Sequence, residues 1–184
     1  QVVEDKGRLT WELYEKNMMI ADRTMENLLI GRRVSDTDVQ LLRLNMPFYR
    51  VVCAPLELVE NVTDIIGRNT VGSPVYAIEM CGGGHLAFVC GQRDKSAESL
   101  RLLSETIQQL IPQSTVPLGC SAAVDAPENL FNAYLGACRA LNASSESSER
   151  MRIDPGANDP LFPDEDPQEM GRLAQAIREG DEEM

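Results

Sequence analysis

The first thirty or so residues carry apolar side chains at the spacing of an amphipathic helix that continues to about Arg33. Leu13 and Ile20 widen the apolar face, and its centre is a seam of residues three and four positions apart: Trp11, Tyr14, Met18, Ala21, Met25 and Leu28. Such an a/d seam is typical of a parallel dimeric coiled coil. We predict a dimer helix here, with packing of the helix on its own domain as the alternative.

Short β-branched and aromatic runs then alternate with helical stretches. A polar stretch with Ser35 or Asp36 as cap precedes a small predicted helix over 39–44. Further on, the pattern predicts strands over 48–54, 75–81, 86–90 and 116–122 and helices over 58–66, 96–110 and 125–141. The order β-α-β-β-α-β-α is a split βαβ, ferredoxin-like α+β arrangement. We expect an antiparallel sheet with helices on one face.

The last of these core helices has a distinct start. Asp125 is its predicted cap, with Pro127 in the first turn and Glu128 completing a capping box. Its predicted inner face consists of Leu130, Ala133, Tyr134, Ala137 and Leu141. A loop rich in Ser, Glu, Asp and Pro follows, with a short edge strand over 151–153 and a final helix capped by Asp166.

These elements divide the chain into three parts. We expect residues 1–45 to form an N-terminal coiled-coil-like helix and connector, residues 46–143 the αβ domain, and residues 144–184 a linker and helix. The chain begins with Gln1 and ends directly after a helix-like stretch, so we expect it to be a fragment of a longer protein.

The net charge of -12 over 184 residues restricts the kinds of binding partner that this chain can have. Phosphate binding needs a basic face, so nucleic acid and anionic membrane surfaces are unfavourable partners for this piece. The five cysteines, with no C-x-x-C pair, fit a reducing compartment and argue against a zinc or redox motif. No apolar run is long enough to span a bilayer.

The candidate chemistry is sparse. His85 is the only histidine, so nucleophilic catalysis of the Ser/His or Cys/His kind depends on it. The run Gly82, Gly83 and Gly84 joins two strands, which favours a tight hairpin over a phosphate loop leading into a helix. Residues 53–55 read Cys-Ala-Pro, so no acid stands at the end of the first strand, where metal-assisted chemistry on such a sheet would need one.

The strand order with a glycine turn at its centre resembles the diguanylate-cyclase fold, which is named for its Gly-Gly-Asp-Glu-Phe hairpin. The matching residues here are Gly82, Gly83, Gly84, His85 and Leu86. Gly84 and His85 stand where the family has its two acids. The resemblance therefore implies a degenerate domain without catalytic residues, metal or cofactor, and it argues against an active cyclase.

Three segments resemble the regulatory region of bacterial AraC-type transcription regulators, which carry degenerate versions of this domain. They are residues 25–32 (MENLLIGR), residues 116–141 with the last core strand and helix, and residues 161–182 before the DNA-binding helices. The resemblance implies a cytoplasmic signal-relay region, free or attached to a membrane anchor, that dimerises through its N-terminal helix. DNA would be contacted only by parts of the parent protein outside this chain. The alternative is a small-molecule sensor that uses the former nucleotide cleft.

Overall fold

A computed structural model of the chain describes residues 2–80, 82–144 and 149–154. These residues fall in one compact unit that ends at Asp154. The fold is α+β, with a five-stranded mixed open sheet and helices packed on it. The final helix predicted from Asp166 onward lies outside the described residues.

The first helix, α1, spans Val2–Leu29 and ends four residues earlier than predicted. Gly31 stops it, because its φ of 72° is a left-handed conformation that glycine adopts without strain. The amides of Gly31 and Arg32 donate to the carbonyls of Leu28 and Asn27, at 3.3 and 2.9 Å. This pair of bonds is a Schellman motif, which satisfies carbonyls that the helix end leaves free.

The predicted small helix is present as α2, Asp36–Leu41, three residues earlier than expected. Its cap is Ser35, one of the two predicted candidates, whose hydroxyl accepts a hydrogen bond from the Asp38 amide at 3.2 Å.

The sheet contains β1 (Phe48–Pro55), β2 (Val75–Met80), β3 (His85–Gln92), β4 (Leu118–Cys120) and β5 (Met151–Ile153), in the order β2-β3-β1-β4-β5. The first four strands pair antiparallel, as predicted. The edge strand predicted over 151–153 is confirmed, but it pairs parallel with β4, so the prediction of a wholly antiparallel sheet is wrong. β4 is also shorter than predicted.

Helices cover both faces of the sheet, and the prediction of helices on one face is wrong. Two helices, α3 (Val62–Gly67) and α4 (Ala97–Leu110), contribute to the core on the face of Val52 and Ala54. Opposite them, α5 (Leu130–Ser144) and the second half of α1 pack on the face of Val51 and Cys53. The physical reason lies in β1, where the four consecutive residues 51–54 are completely buried. Because their side chains point alternately to the two faces, the sheet needs a covering layer on each face.

Two local predictions also need correction. The helix predicted over 58–66 is a 3-10 turn, Leu56–Leu58, followed by the shorter α3. Asp125 does not cap α5, because a 3-10 turn at Pro127–Asn129 precedes that helix and the Asp125 carboxylate accepts from the Asn129 side-chain amide at 3.2 Å. The predicted inner face of α5 is confirmed in full.

Candidate functional site at the central hairpin

The turn between β2 and β3 is built on glycine backbone. The amides of Gly83 and Gly84 both donate to the Met80 carbonyl, each at 3.2 Å. Gly84 has φ of 64°, which a side chain would disfavour. Its carbonyl accepts a hydrogen bond from the Leu56 amide at 2.8 Å, and this bond ties the turn to the end of β1. The predicted hairpin is therefore confirmed, with its tip held against the neighbouring strand.

The hairpin also packs closely on α5. A Cβ atom added to Gly83 would lie 2.9 Å from the Tyr134 hydroxyl and 3.0 Å from His85 Nδ1. Neither spacing leaves room for a methyl group without a shift of the two side chains. The glycine at this position is thus explained by the approach of a helix, and no bound ligand is needed to account for it.

Four polar side chains from three elements meet under the hairpin. His85 begins β3, Cys53 comes from β1, and Tyr134 and Cys138 lie one turn apart on α5. His85 Nδ1 is 3.3 Å from the Tyr134 hydroxyl and 3.7 Å from the Cys138 sulfur. The two rings of His85 and Tyr134 meet edge to face, with centroids 6.3 Å apart. We refer to these four residues as the thiol–imidazole cluster.

The environment separates the two thiols of the cluster. A hydrogen bond from the Cys53 thiol, supported by the Tyr134 hydroxyl and the nearby Arg139 guanidinium and opposed by burial, lowers the pKa of Cys138 to about 7. The pKa of Cys53 is raised well above its usual value by the same hydrogen bond and by burial. Burial also raises the pKa of Tyr134 above that of a free phenol. Cys138 is therefore the first of the two thiols to ionise as the pH rises.

The other residues of the hairpin motif do not join this cluster. Leu86 is completely buried in the core on the opposite face of the sheet. At the end of β1, Pro55 pairs with His85, and no carboxylate stands between them. Among the described residues, no group of three or more histidine, cysteine, aspartate or glutamate side chains is arranged to hold a metal ion.

The predicted dimer seam is divided between core and solvent. Trp11 and Tyr14 are 61% and 45% exposed. Met18 is half-buried against the core, whereas Ala21 and Met25 are completely buried in the core of their own domain. Leu28 packs at the edge of the same core. The alternative of packing on the chain's own domain therefore holds for the second half of the seam, and only the first half is open to a partner.

A small cavity lies at the other end of the sheet from the hairpin. Its lining includes Met25, Leu42, Tyr49 and Tyr76, and its volume is about 130 Å³. Pockets that enclose drug-sized ligands are usually about 300 Å³ or larger. This cavity is smaller than that, and none of the hairpin-motif residues 82–86 lines it.

Sequence reasoning identified His85 but not the cluster around it. The spacing of the five cysteines indicated no site at Cys53 or Cys138, and the pattern placed Tyr134 correctly on the inner face of α5 without a role. One signal was available, since Tyr134 and Cys138 are four residues apart and so share a helix face. Their meeting with His85 and Cys53 depends on the topology of the sheet, which brings together residues about 50 and more than 80 positions apart.

No protein-family model, no curated protein and no solved structure matches this chain. In the part of the chain that the structure describes, none of the helices is both long and apolar enough to cross a membrane.

Proposed function

We propose that the chain is the non-catalytic signal-relay and dimerisation region of a bacterial AraC-type transcription regulator, and that it works in the cytoplasm. The observation that carries the proposal is the dual character of α1, one continuous helix whose second half packs in the core and whose first half is exposed and carries Trp11 and Tyr14. A signal that moves the exposed half has a covalent route into the domain.

The geometry of α1 makes it suited to this role. Its 28 residues correspond to a length of about 42 Å. Met25 and Leu29 are completely buried, and Asp22 accepts a hydrogen bond from the Tyr76 hydroxyl of β2. The face that makes these contacts is the one that carries Trp11 and Tyr14 farther toward the N-terminus, because a helix repeats every 3.6 residues. A displacement of the exposed half therefore acts on the sheet through the same stripe of side chains.

We also propose that the antiparallel part of the sheet is a ferredoxin-like, degenerate cyclase domain. Support comes from the strand order β2-β3-β1-β4. The helix α3 connects β1 to β2, and β3 lies between these two strands in the sheet. The helix α4 connects β3 to β4, and β1 lies between them, as in the split βαβ arrangement. The hairpin keeps two glycines of the family motif, and Gly84 and His85 occupy the positions of its acids. Without carboxylates at those positions, this hairpin cannot hold the metal ions that the family's phosphoryl chemistry uses.

Dimerisation is the part of the proposal that solution measurements test directly. We expect the wild-type chain to self-associate near 100 μM, which corresponds to a binding free energy of about -5 to -6 kcal/mol. The variant Trp11→Ala with Tyr14→Ala should be monomeric, because it removes the exposed half of the seam without touching the core. Sedimentation equilibrium measures both.

The same helix offers a matched control. Leu9 and Leu13 are 61% and 60% exposed and lie on the opposite side of α1 from the seam. Leu9→Ala with Leu13→Ala removes comparable apolar surface and should leave the dimer intact. The proposal would be contradicted by a wild-type chain that stays monomeric at this concentration, or by equal loss of association in both double variants.

The alternative, a small-molecule sensor in the former nucleotide cleft, makes a different prediction. A ligand held there would contact the hairpin, so its binding should perturb NMR signals of Gly83, Gly84 and His85 first. Under the relay proposal, mutation of Trp11 changes association while these signals stay unchanged.

A further inference from the structure

Cys138 differs from the three other thiols that the structure describes. Cys53, Cys90 and Cys120 are completely buried, whereas Cys138 on α5 is only half-buried. The hydrogen bond with Cys138, together with burial, raises the pKa of Cys53, and burial in apolar surroundings raises the pKa values of Cys90 and Cys120. A thiol reacts as its thiolate, so the three buried thiols are poor nucleophiles on two counts, access and ionisation.

The groups that face Cys138 favour its charged form. They are Cys53 from β1, and Tyr134 and Arg139 from α5 itself. Thiol and hydroxyl groups donate to a thiolate, and the Arg139 guanidinium is the charge that acts on it favourably. Arg139 also pairs with Asp154 at 2.9 Å, which holds the guanidinium at this end of α5. The imidazole of His85, with Nδ1 3.7 Å from the sulfur, is positioned to donate when that nitrogen carries hydrogen.

We propose that Cys138 is a modification site that undergoes reversible thiol–disulfide exchange with low-molecular-weight disulfides. The Cys138 thiol first loses its proton to solvent. Its thiolate attacks one sulfur of the disulfide, the bond between the two small-molecule sulfurs breaks, and a new bond joins one of them to Cys138. The other sulfur leaves as a thiolate and takes up a proton. The small disulfide is the oxidant, and excess small thiol reverses the exchange.

This site is independent of the relay proposal, because it uses none of the exposed half of α1. It also differs from an ordinary surface cysteine, since a second thiol, a phenol and an imidazole converge on one sulfur. The lowered pKa of Cys138 increases its ionised fraction at pH 7, and this gain exceeds the accompanying loss of intrinsic nucleophilicity, which falls less steeply with pKa.

The test exposes the wild-type chain at pH 7 to oxidised glutathione, quenches with acid at several times, and locates the adduct by peptide mapping. We expect Cys138 to be modified about tenfold faster than Cys53, Cys90 or Cys120, and excess reduced glutathione to remove the adduct. Mapping assigns Cys81 separately, and a Cys81→Ala variant shows whether that residue alters the rate at Cys138. Modification of Cys138 no faster than that of the three buried thiols would overturn the proposal.

A second measurement distinguishes activation by the cluster from simple exposure. The rate of Cys138 alkylation by iodoacetamide as a function of pH reports the ionisation of that thiol. Tyr134→Phe, which removes only the hydroxyl, should move the midpoint toward higher pH, and Tyr14→Phe on the exposed part of α1 should not. A midpoint near 9, the value for an unperturbed thiol, in the folded wild-type chain would also overturn the proposal. Circular dichroism verifies that each variant is folded.

Discussion

Gly119, in the middle of β4, is the position where the smallest change should have the largest effect. A Cβ atom added there would lie 2.7 Å from Leu141 Cα and closer still to Ala137 O and Leu141 N, all of them backbone atoms of α5. Cβ atoms essentially never approach heavy atoms closer than 3.0 Å. Backbone cannot turn away as a side chain can, so Gly119→Ala must separate α5 from the sheet by about 1 Å to restore ordinary contact.

The cost follows from what that separation loosens. Leu130, Ala137 and Leu141 of α5 are completely or almost completely buried in the core. A separation of about 1 Å would remove much of the van der Waals contact that these side chains make. Overpacked core substitutions cost about 1–3 kcal/mol, and a clash with backbone on three atoms belongs at or above the upper end. Against a typical total stability of about 5–15 kcal/mol, a loss of about 3 kcal/mol is large.

Urea unfolding followed by far-UV circular dichroism measures this loss. Trp11, the only tryptophan, is exposed on α1, so its fluorescence would report poorly on the core. A loss of about 3 kcal/mol lowers the thermal midpoint of a domain of this size by about 6–12 °C. Gly67→Ala is the control, since nothing lies within 4 Å of the added atom. A Gly119→Ala variant within about 0.5 kcal/mol of wild type would refute the reasoning.

Two further substitutions test polar contacts. Arg50, only 8% exposed, donates to the Gln92 side-chain oxygen and the Ser121 carbonyl, each at 2.8 Å. In urea unfolding, Arg50→Met should therefore lower the free energy of unfolding by about 1–3 kcal/mol for each acceptor left without a donor. Adding Gln92→Met should recover part of that loss of stability. Tyr76→Phe, which breaks the bond to Asp22, should cost about 1.5–3 kcal/mol. Burial, with the Asp22 hydrogen bond and charge, raises the pKa of Tyr76, so its contribution is complete below the unfolded pKa of 10.0 and falls as pH rises beyond it. The wild type should therefore lose more stability above pH 10 than Tyr76→Phe does, and equal losses in the two proteins would contradict this.

The sequence predicted the strands of the sheet and the hairpin well, because local signals dominate there. β1 and β2 are rich in β-branched, aromatic and other apolar residues, and the three glycines at 82–84 mark the turn between two strands. The sequence reasoning missed the coverage of both faces, although the continuous apolar run 51–55 of β1 carried that information. Helix starts were less predictable, because Asp125 satisfies the sequence rule for a cap while Pro127 and Glu128 begin a 3-10 turn instead. The thiol–imidazole cluster was out of reach, since it depends on how β1, β3 and α5 are brought together.

The seam of α1 shows why periodicity alone left two interpretations open. A helix that packs on its own sheet and a helix that packs on a partner both need an apolar stripe with a period near 3.6, so Trp11 and Met25 carry the same signal. The structure places them in opposite environments on one stripe. If a partner helix covers the Trp11 end, it must approach on the side that β2 and α5 already occupy near Met25. In a dimer of this chain the partner helix must therefore diverge from α1 before Met18, or α1 must leave the sheet, and under the relay proposal these two geometries would be the two states with different contacts.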